Sequence, residues 1–420
     1  MLCFETGGVS FMSSCPQDPF AKGGVAAFVR DFRAGVRNSV DVTEACLARI
    51  EALDDGLGSF EYVAADYARQ VARAMDILRD QNVDLGPLMG VPIGIKDIFV
   101  VDPMPTTNGS IIESADANGP EGTFVQELKA MGAVILGKTK TVEYAFGATG
   151  VNLVRGTPRN PWSKSKHIVP GGSSSGSGVA VAAGLCGLAI GSDTGGSVRI
   201  PAAFNGIVGH KTTVGLWPTD GVFPLSTTLD SVGPLCRSVE DAALFYAAFE
   251  GEAPIVSQHL TGVRLGLPSD QMMEALDPDV RNSFDAAMRA LSDVGAVFCD
   301  IQDLDLPDRA KLFREIVAPQ MLVGLGVERF RAHSDRMDPI SGARAGFGLK
   351  LDAVTHAEAL RRHESLKQQA FEGLADIDGW VSPTAPCLPM ELDEVSSPDQ
   401  LERALLPSRN TQPANLFGLC

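Results

Sequence analysis

Basic residues are scarce in this chain of 420 residues. Lysine and arginine together number 35, against 52 aspartates and glutamates, which gives a formal net charge of −17 at pH 7. A protein that binds nucleic acid directly needs a basic surface. The composition therefore argues against contact with DNA or RNA, and the excess of negative charge mainly favours solubility.

The sequence also lacks a long apolar run and a secretory leader. The longest apolar segment, residues 179–190, is rich in small residues and shorter than the roughly 20 residues of a transmembrane helix. A signal peptide begins with basic residues and contains a continuous apolar core. Residues 1–22 have neither feature. We therefore expect no membrane association and a cytoplasmic location.

Metal-binding and disulfide patterns are missing as well. The eight cysteines are widely scattered with no CxxC pair, which fits reduced thiols in a cytosolic protein. Of the six histidines, His356 and His363 share one face of a predicted helix, but no third ligand accompanies them. We interpret that face as solvated and expect no metal or organic cofactor.

The most distinctive feature of the sequence is a pair of clusters rich in glycine and serine, residues 170–178 and 191–201. The apolar segment between them suits a packed helix followed by a buried strand. In the second cluster, Gly195 and Gly196 allow a sharp turn directly before Ser197. Such a turn points several backbone N–H groups at one position beside the serine hydroxyl. A nucleophilic serine next to an oxyanion hole has this arrangement. A phosphate-binding loop or an ordinary turn is the alternative.

A nucleophilic serine needs a base, and Lys96 is the strongest local candidate. It ends an apolar run, residues 88–95, that predicts a strand carrying the amine into the interior. Burial favours a neutral amine, which can accept a proton. On local sequence alone, however, a lysine at the end of a strand and paired with Asp97 is the favoured interpretation. A Ser-His-Asp triad also stays open, because triads assemble in space rather than in sequence.

Two further motifs are interpreted as coincidental. Residues 132–139 match the phosphate-loop pattern GxxxxGK[ST], but their interior, Ala-Val-Ile-Leu, predicts a strand rather than a loop that exposes amides. Residues 163–166 match the SxxK of penicillin-binding enzymes. That segment lies in a polar stretch after Pro161 and predicts a solvated turn.

Taken together, the motifs of residues 25–420 resemble the amidase signature family. The matching segments are Gly90–Asp97, Gly137-Lys138-Thr139, Asn160-Pro161-Trp162, Gly171–Ser174, Asp193–Arg199, Gly209–Thr212, Ser231–Pro234 and Ser382-Pro383-Thr384. An ordered set of this kind is far more specific than a single motif. One departure is Ser175, which stands where members of the family usually have glycine.

The resemblance implies a catalytic triad in which Lys96 is the base, Ser173 a bridging serine in a cis peptide, and Ser197 the nucleophile. Ser173 follows the Gly-Gly pair and precedes Ser197 by 24 residues (197 − 173), as in the family. Backbone groups of Thr194, Gly195 and Gly196 are implied as the oxyanion hole.

The resemblance also suggests other residues near the site. In the family, the region corresponding to residues 144–150 lines the acyl pocket, which makes Phe146 and Thr149 candidate substrate-binding residues. Ordinary core packing is the alternative for Phe146. Arg199 either stabilises the loop, the preferred interpretation, or meets an acidic substrate.

The implied fold is α/β: a layered α/β/α amidase-signature fold with a mixed central sheet flanked by helices. Alternating predicted strands and helices after Pro234 support it. We expect an N-terminal extension with little structure over residues 1–22 and one amidase signature domain over 23–420. Family members continue past the stretch at 415–419, so we also expect a shortened C-terminus, with that stretch leading toward a core strand.

Helical periodicity supplies individual elements. It predicts helices over residues 41–53, 65–81 and 310–331, among others, with Asp41 and Glu44 as a capping pair for the first.

The implied function is an amidase that hydrolyses a small-molecule carboxylic amide to acid plus ammonia or amine through a serine acyl-enzyme. No cofactor is implied, and a homodimer is left open. One alternative is the A subunit of a tRNA-dependent glutamine amidotransferase, which needs partner subunits. The other is a catalytically impaired homologue.

Overall fold

A computed structural model describes residues 15–251, 259–301 and 306–420 of the chain. Within these ranges the chain forms α-helices and β-strands that alternate along most of its length. The helices are α1 Gly24–Arg33, α2 Ser39–Leu57, α3 Ala65–Asp80, α4 Thr123–Ala130, α5 Ser175–Ala182, α6 Arg199–Asn205, α7 Val239–Glu250, α8 Asp270–Met273, α9 Pro278–Asp293, α10 Arg309–Leu325, α11 Val327–His333, α12 Pro339–Gly346, α13 Ala353–Gly373, α14 Leu401–Leu405 and α15 Gln412–Leu416. The strands are β1 Phe60–Val63, β2 Pro92–Lys96, β3 Val134–Thr139, β4 Leu188–Asp193, β5 Val208–Gly209, β6 Ser231–Cys236, β7 Arg264–Gly266, β8 Val297–Cys299 and β9 Gly379–Trp380.

The main sheet has six strands in the order β1-β3-β2-β4-β6-β5. Its centre is parallel, because β2 runs parallel to both β3 and β4, and its two edges are antiparallel. Every residue of β2, β3, β4 and β6 is buried, as expected for strands covered on both faces by helices. The predicted mixed sheet in an α/β fold is therefore confirmed.

A second, three-stranded sheet follows in the order β8-β7-β9, with both pairings parallel. Helices α8 and α9 connect β7 to β8, as parallel neighbours require a crossover. All three of these strands lie after residue 234, in the part of the sequence where alternating elements were predicted.

Several helix boundaries differ from the sequence-based expectation. The helix predicted over 310–331 is two helices, because Gly326 adopts a positive φ of 91° between α10 and α11. Asp41 does not cap α2: the side chain of Asn38 accepts the N–H of Asp41, and the helix starts at Ser39. In the stretch at 415–419, Asn415 and Leu416 form the end of α15.

The predicted N-terminal extension, residues 1–22, is described only from Cys15 onward, and residues 1–14 lie outside the described part. Phe20 is buried in the core and meets Phe28 of α1 edge to face, with ring centroids 5.9 Å apart. Packing against the core therefore begins before residue 23.

The described ranges also bear on the expected absences. No helix there combines the length and apolarity needed to cross a bilayer. No group of three or more potential metal ligands occurs there, and the seven cysteines within those ranges are free thiols. The interpretation of a solvated histidine face is wrong for His363, which is buried.

Candidate active site

Lys96 ends strand β2 and is completely buried. Its Nζ lies 2.7 Å from Ser173 Oγ and 2.8 Å from Ser192 Oγ, donating to both hydroxyls. Burial lowers the pKa of Lys96 to about 7, although the negative charges of Asp230 and Asp193 oppose that change. Near neutral pH a large fraction of this amine is uncharged and able to accept a proton.

Asp97, the alternative partner of Lys96, pairs with another lysine. Its Oδ1 accepts a hydrogen bond of 2.8 Å from Lys138 Nζ, and both side chains are buried. Lys138 belongs to strand β3, which contains the end of the segment that matches the phosphate-loop pattern. The structure thus agrees with the interpretation of that segment as a strand, and it leaves Lys96 without a carboxylate in hydrogen-bond contact within the described ranges.

Ser173 lies in the loop that leads into helix α5, and the peptide bond between Gly172 and Ser173 is cis. Its side chain is fully buried, and its carbonyl oxygen accepts the N–H of Val142 at 3.2 Å. Ser175, the departure from the family pattern, is the first residue of α5. A Cβ at the next position, Gly176, would collide with backbone atoms of Ser59 and Lys140. The helix start thus accommodates a serine at 175 but not a side chain at 176.

Ser197 lies between strand β4 and helix α6, which are separated by only five residues. Its carbonyl oxygen accepts the N–H of Ser174 at 3.2 Å, so the two serine-rich segments meet at this point. Its hydroxyl makes no hydrogen bond to any residue in the described ranges, and it faces a cavity. Lys96, Ser173 and Ser197 are therefore gathered in one region at the ends of β2 and β4.

Asp193 organises the turn that carries Ser197. Its carboxylate accepts the N–H groups of Gly196 at 2.8 Å and Val198 at 3.1 Å, and it forms a two-pronged contact with Arg199 at 3.0 and 2.9 Å. Burial opposes ionisation of Asp193. The charge and hydrogen bonds of Arg199, helped by Lys211, outweigh it and hold the pKa well below its usual range. Arg199 is thus engaged within the loop, in line with the preferred interpretation.

The predicted oxyanion-hole residues differ in what their backbones do. Gly196 uses its N–H for Asp193, whereas the N–H groups of Gly195 and Ser197 donate to no residue in the described ranges. The side chain of Thr194 donates to Asp230 Oδ1 at 2.6 Å. Asp230 also accepts the N–H of Ser226, and burial raises the pKa of its carboxyl to about 6 despite these hydrogen bonds.

A narrow cavity of about 20 Å³ lies beside Ser197 and opens toward solvent. Phe146 lines it together with Thr194 and Gly195, but Thr149 is not among the lining residues. Thr149 is buried and its carbonyl oxygen accepts the N–H of Gly171 at 2.9 Å, which supports the Ser173 loop from behind. Of the two candidate substrate-binding residues, the structure brings only Phe146 to the cavity.

The last described segment of the chain packs directly on the Ser197 turn. Thr411 Oγ1 donates to the carbonyl oxygen of Gly195 at 2.7 Å, and Asn415 Nδ2 donates to Asp193 Oδ1 at 2.9 Å. Gly196 has a φ of 125°, and a Cβ at this position would collide with the Thr411 side chain. A glycine is therefore required where these two segments cross.

Sequence reasoning missed four side chains at or behind this site: Ser192, Asp230, Arg344 and Thr411. Ser192 was within reach, because it lies inside the second glycine and serine cluster, next to Asp193. The other three come from segments farther away in sequence, and no local pattern marks them.

The comparisons with known proteins identify the family. The family model described as Amidase matches residues 41–420. The chain belongs to the amidase family. It is 37% identical to the 2-amino-5-chloromuconic acid deaminase of Comamonas testosteroni, covering 91% of this chain and 84% of that protein. It is also 39% identical to the A subunit of the glutamyl-tRNA(Gln) amidotransferase of Geobacter metallireducens, covering 91% and 86% of the two chains.

Solved structures give the same family. A crystal structure of an amidase superposes with a TM-score of 0.85 at 29% identity, covering 94% of this chain and 90% of that one. The native peptide amidase of Stenotrophomonas maltophilia superposes with a TM-score of 0.76 at 29% identity, covering 96% and 90%. This member of the amidase family is accordingly a hydrolase that acts on amide C–N bonds.

Proposed function

We propose that this amidase hydrolyses a small-molecule carboxylic amide to its acid and ammonia or an amine, with Ser197 as nucleophile, Ser173 as bridge and Lys96 as base. The observation that carries the proposal is the contact of 2.7 Å between Lys96 Nζ and Ser173 Oγ. It lies in a site where burial brings the pKa of the amine to about 7.

The chemistry begins with proton transfer. The neutral amine of Lys96 accepts the proton of the Ser173 hydroxyl, and Ser173 takes the proton of Ser197. Ser197 Oγ then attacks the amide carbonyl carbon, and a tetrahedral intermediate forms. Its oxyanion is held by backbone N–H groups of the turn, with those of Gly195 and Ser197 free to donate.

Collapse of the intermediate completes the first half of the reaction. The proton held by Lys96 returns through Ser173 to the leaving nitrogen, the C–N bond breaks, and ammonia or an amine departs. Water then attacks the acyl-enzyme by the same route and releases the acid, with Ser197 restored. No step calls for a group beyond these side chains and water.

The test is covalent labelling at Ser197. We expect a fluorophosphonate to modify Ser197 in the wild type, as mapped by mass spectrometry, and Ser197→Ala to lose both the label and amide hydrolysis. Ser174→Ala is the matched control, because Ser174 is an adjacent buried serine whose hydroxyl bonds to the backbone of Ser192 and makes no hydrogen bond to Lys96. Labelling at Ser173 with Ser197 unmodified would contradict the assignment.

A glutaminase subunit is the second candidate, supported by the similarity to the amidotransferase chain of Geobacter metallireducens. Ammonia release from glutamine, measured with and without added partner subunits of such an amidotransferase, separates the two. An amidase hydrolyses simple amides alone, whereas an amidotransferase component shows glutaminase activity that depends on its partners. An impaired homologue would show neither activity and no fluorophosphonate label.

A further inference from the structure

Arg344 is the one charged residue among the described residues that line the cavity beside Ser197. It lies on helix α12, and its guanidinium stacks on the ring of Phe146, with Cζ 3.9 Å from the ring centroid. The rest of that lining is apolar or neutral. Arg344 is only partly buried, and a charge partly removed from water is stabilised by a partner of opposite sign.

The hydrogen bonds of Arg344 leave most of its donors unused. One guanidinium nitrogen donates to the carbonyl oxygen of Phe146 at 2.7 Å. In the described part of the chain, no aspartate or glutamate lies within salt-bridge distance of it. Partial burial lowers the pKa of Arg344 to about 9, which leaves the side chain protonated at neutral pH.

Two other cations in the described part of the chain have carboxylate partners. Lys138 pairs with Asp97 and Arg199 with Asp193. Arg49 is buried without a carboxylate, but its guanidinium donates to three backbone carbonyls, those of Gly184, Pro16 and Ala183. Among these four cations, only Arg344 has a single hydrogen-bond acceptor in the described part of the protein and also lines the cavity.

Helix α12 holds Arg344 in a fixed place. Asp338 caps its first turn by accepting the N–H groups of Ile340 and Ser341. The N–H of Asp338 in turn donates to Glu143 Oε2 at 2.7 Å. Glu143 lies three residues before Phe146 in the chain. The helix that carries Arg344 is therefore linked by a hydrogen bond to the segment that carries Phe146. This link positions the guanidinium before any ligand binds.

We propose that Arg344 binds a carboxylate of the substrate, so that the amides cleaved at Ser197 carry an acidic group on their acyl chain. A planar guanidinium with free N–H groups matches a carboxylate by two parallel hydrogen bonds. The apolar lining contacts the carbon chain between the two ends of the substrate. This inference rests on the proposed amidase function, whose site it shares.

The experiment uses matched compounds of three chain lengths: succinamate, glutaramate and adipamate against succinamide, glutaramide and adipamide. Each pair differs only in whether the distal group is a carboxylate or a neutral amide. Affinity is measured by calorimetry on Ser197→Ala, which binds without turnover. In parallel, kcat/KM is measured on the wild type and corrected for the two equivalent amides of the diamides.

For at least one chain length, we expect the acid to bind and react roughly 10- to 100-fold better than the diamide, the range of a charge-assisted pair. Arg344→Met should remove that preference in both measurements by weakening the values for the acid, with a much smaller change for the diamide. Arg314→Met is the control, because Arg314 also stacks on a phenylalanine, Phe347 at 4.0 Å, outside the cavity lining. It should keep the preference.

Two results would overturn the proposal: equal affinity for acids and diamides, including no binding of either, or an equal loss for both in Arg344→Met. The second would assign Arg344 a structural role through Phe146. If Arg344→Met fails to fold, as judged by its melting temperature, Arg344→Lys replaces it and should weaken the preference without abolishing it.

The two hypotheses fail separately. Hydrolysis of diamides without a preference for acids leaves the amidase proposal intact and rejects the role of Arg344. Binding of acids that depends on Arg344, without hydrolysis of any compound, keeps the carboxylate site and rejects the amidase proposal.

Discussion

At the scale of single residues, burial of Lys96 lowers the pKa of its amine to about 7. Lys96 is surrounded by hydroxyl groups, those of Ser173 and Ser192, rather than by carboxylates. Its nearest negative charges, Asp230 and Asp193, are close enough to oppose the loss of charge but form no ion pair with it. A direct ion pair would stabilise the ammonium form and suppress its basicity.

The first prediction at this scale concerns pH. Because the pKa of Lys96 is lowered to about 7, the neutral base accumulates as the pH rises. We expect kcat/KM to increase with pH, with a midpoint near pH 7 and a plateau above it. Stopped assays of ammonia release from pH 5 to 9 provide the measurement. Lys96→Ala should lower kcat by at least about 10²-fold, the usual scale for loss of a general base.

The control for this profile is Lys138→Met, which alters a second buried lysine that pairs with Asp97 away from the serines. It is expected to lower stability without moving the midpoint. A profile that is flat between pH 5 and 9 in the wild type, or near-normal activity of Lys96→Ala, would exclude Lys96 as the base.

Ser192 gives a second prediction at this scale. Its hydroxyl takes one of the two hydrogen bonds of Lys96 Nζ at 2.8 Å, and this directs the amine toward Ser173. We expect Ser192→Ala to lower kcat roughly 10-fold with little change in KM, since a misplaced base affects chemistry more than binding. Ser192→Thr, which keeps the hydroxyl, should recover most of the activity; equal loss in both variants would indicate a packing effect.

At the scale of elements, the turn between β4 and α6 is supported by a segment more than 200 residues later. Thr411 and Asn415, at the start of and within α15, bond to Gly195 and Asp193. Arg199 adds contacts to the Thr411 carbonyl oxygen at 3.1 Å and to Asn415. Thr411 and Asn415 therefore stabilise the turn that carries Ser197.

The prediction at this scale is that Thr411→Val slows catalysis. The substitution keeps the shape but removes the hydroxyl that fixes the Gly195 carbonyl, so the adjacent N–H groups lose their orientation. We expect kcat to fall roughly 10-fold, less than the 10²–10³ of losing an oxyanion donor outright, while KM stays within about twofold.

The controls are a conservative substitution at Thr411 and a measurement of the labelling rate at Ser197. Thr411→Ser keeps the hydroxyl and should be near wild type. Thr411→Val should also react more slowly with a fluorophosphonate at Ser197. A loss of thermal stability with unchanged kcat and labelling rate would mean that Thr411 supports the fold and not the turn.

At the scale of the whole molecule, the thiols report how closely the core is packed. Cys46, Cys186 and Cys236 are buried in the main core, and Cys420 is exposed. Burial raises the pKa of all three buried thiols, that of Cys186 to about 12. Their reactive thiolate forms are therefore almost absent at neutral pH.

We expect iodoacetamide at pH 7.5 to label Cys420 within minutes and the three buried thiols only after denaturation. Peptide mapping by mass spectrometry, with and without guanidinium chloride, gives the rates residue by residue. Rapid labelling of Cys186 in the native protein would contradict the packing, because this thiol lies directly beneath strand β2 near Gly94.

The sequence by itself determined the type of fold and most of its elements, and it led to the hypothesis for the chemistry at the centre of the site. Apolar runs mark β2, β3 and β4, because strands buried on both faces must be apolar throughout. Ser197 and Lys96 could be proposed because glycines before a serine and a lysine after an apolar run have local physical meaning. The family motifs, which are short and contiguous, supplied Ser173.

Tertiary structure alone decided the rest, because hydrogen bonds and ion pairs form between residues that are distant in the chain. It assigned Asp97 to Lys138 instead of Lys96, committed the N–H of Gly196 to Asp193, and placed Thr149 behind the serine loop. It also brought Arg344 and Thr411 to a turn 147 and 214 residues before them in the chain (344 − 197 and 411 − 197). No pattern of neighbouring residues predicts such contacts between distant segments. They are decided only when the core packs and brings those segments side by side.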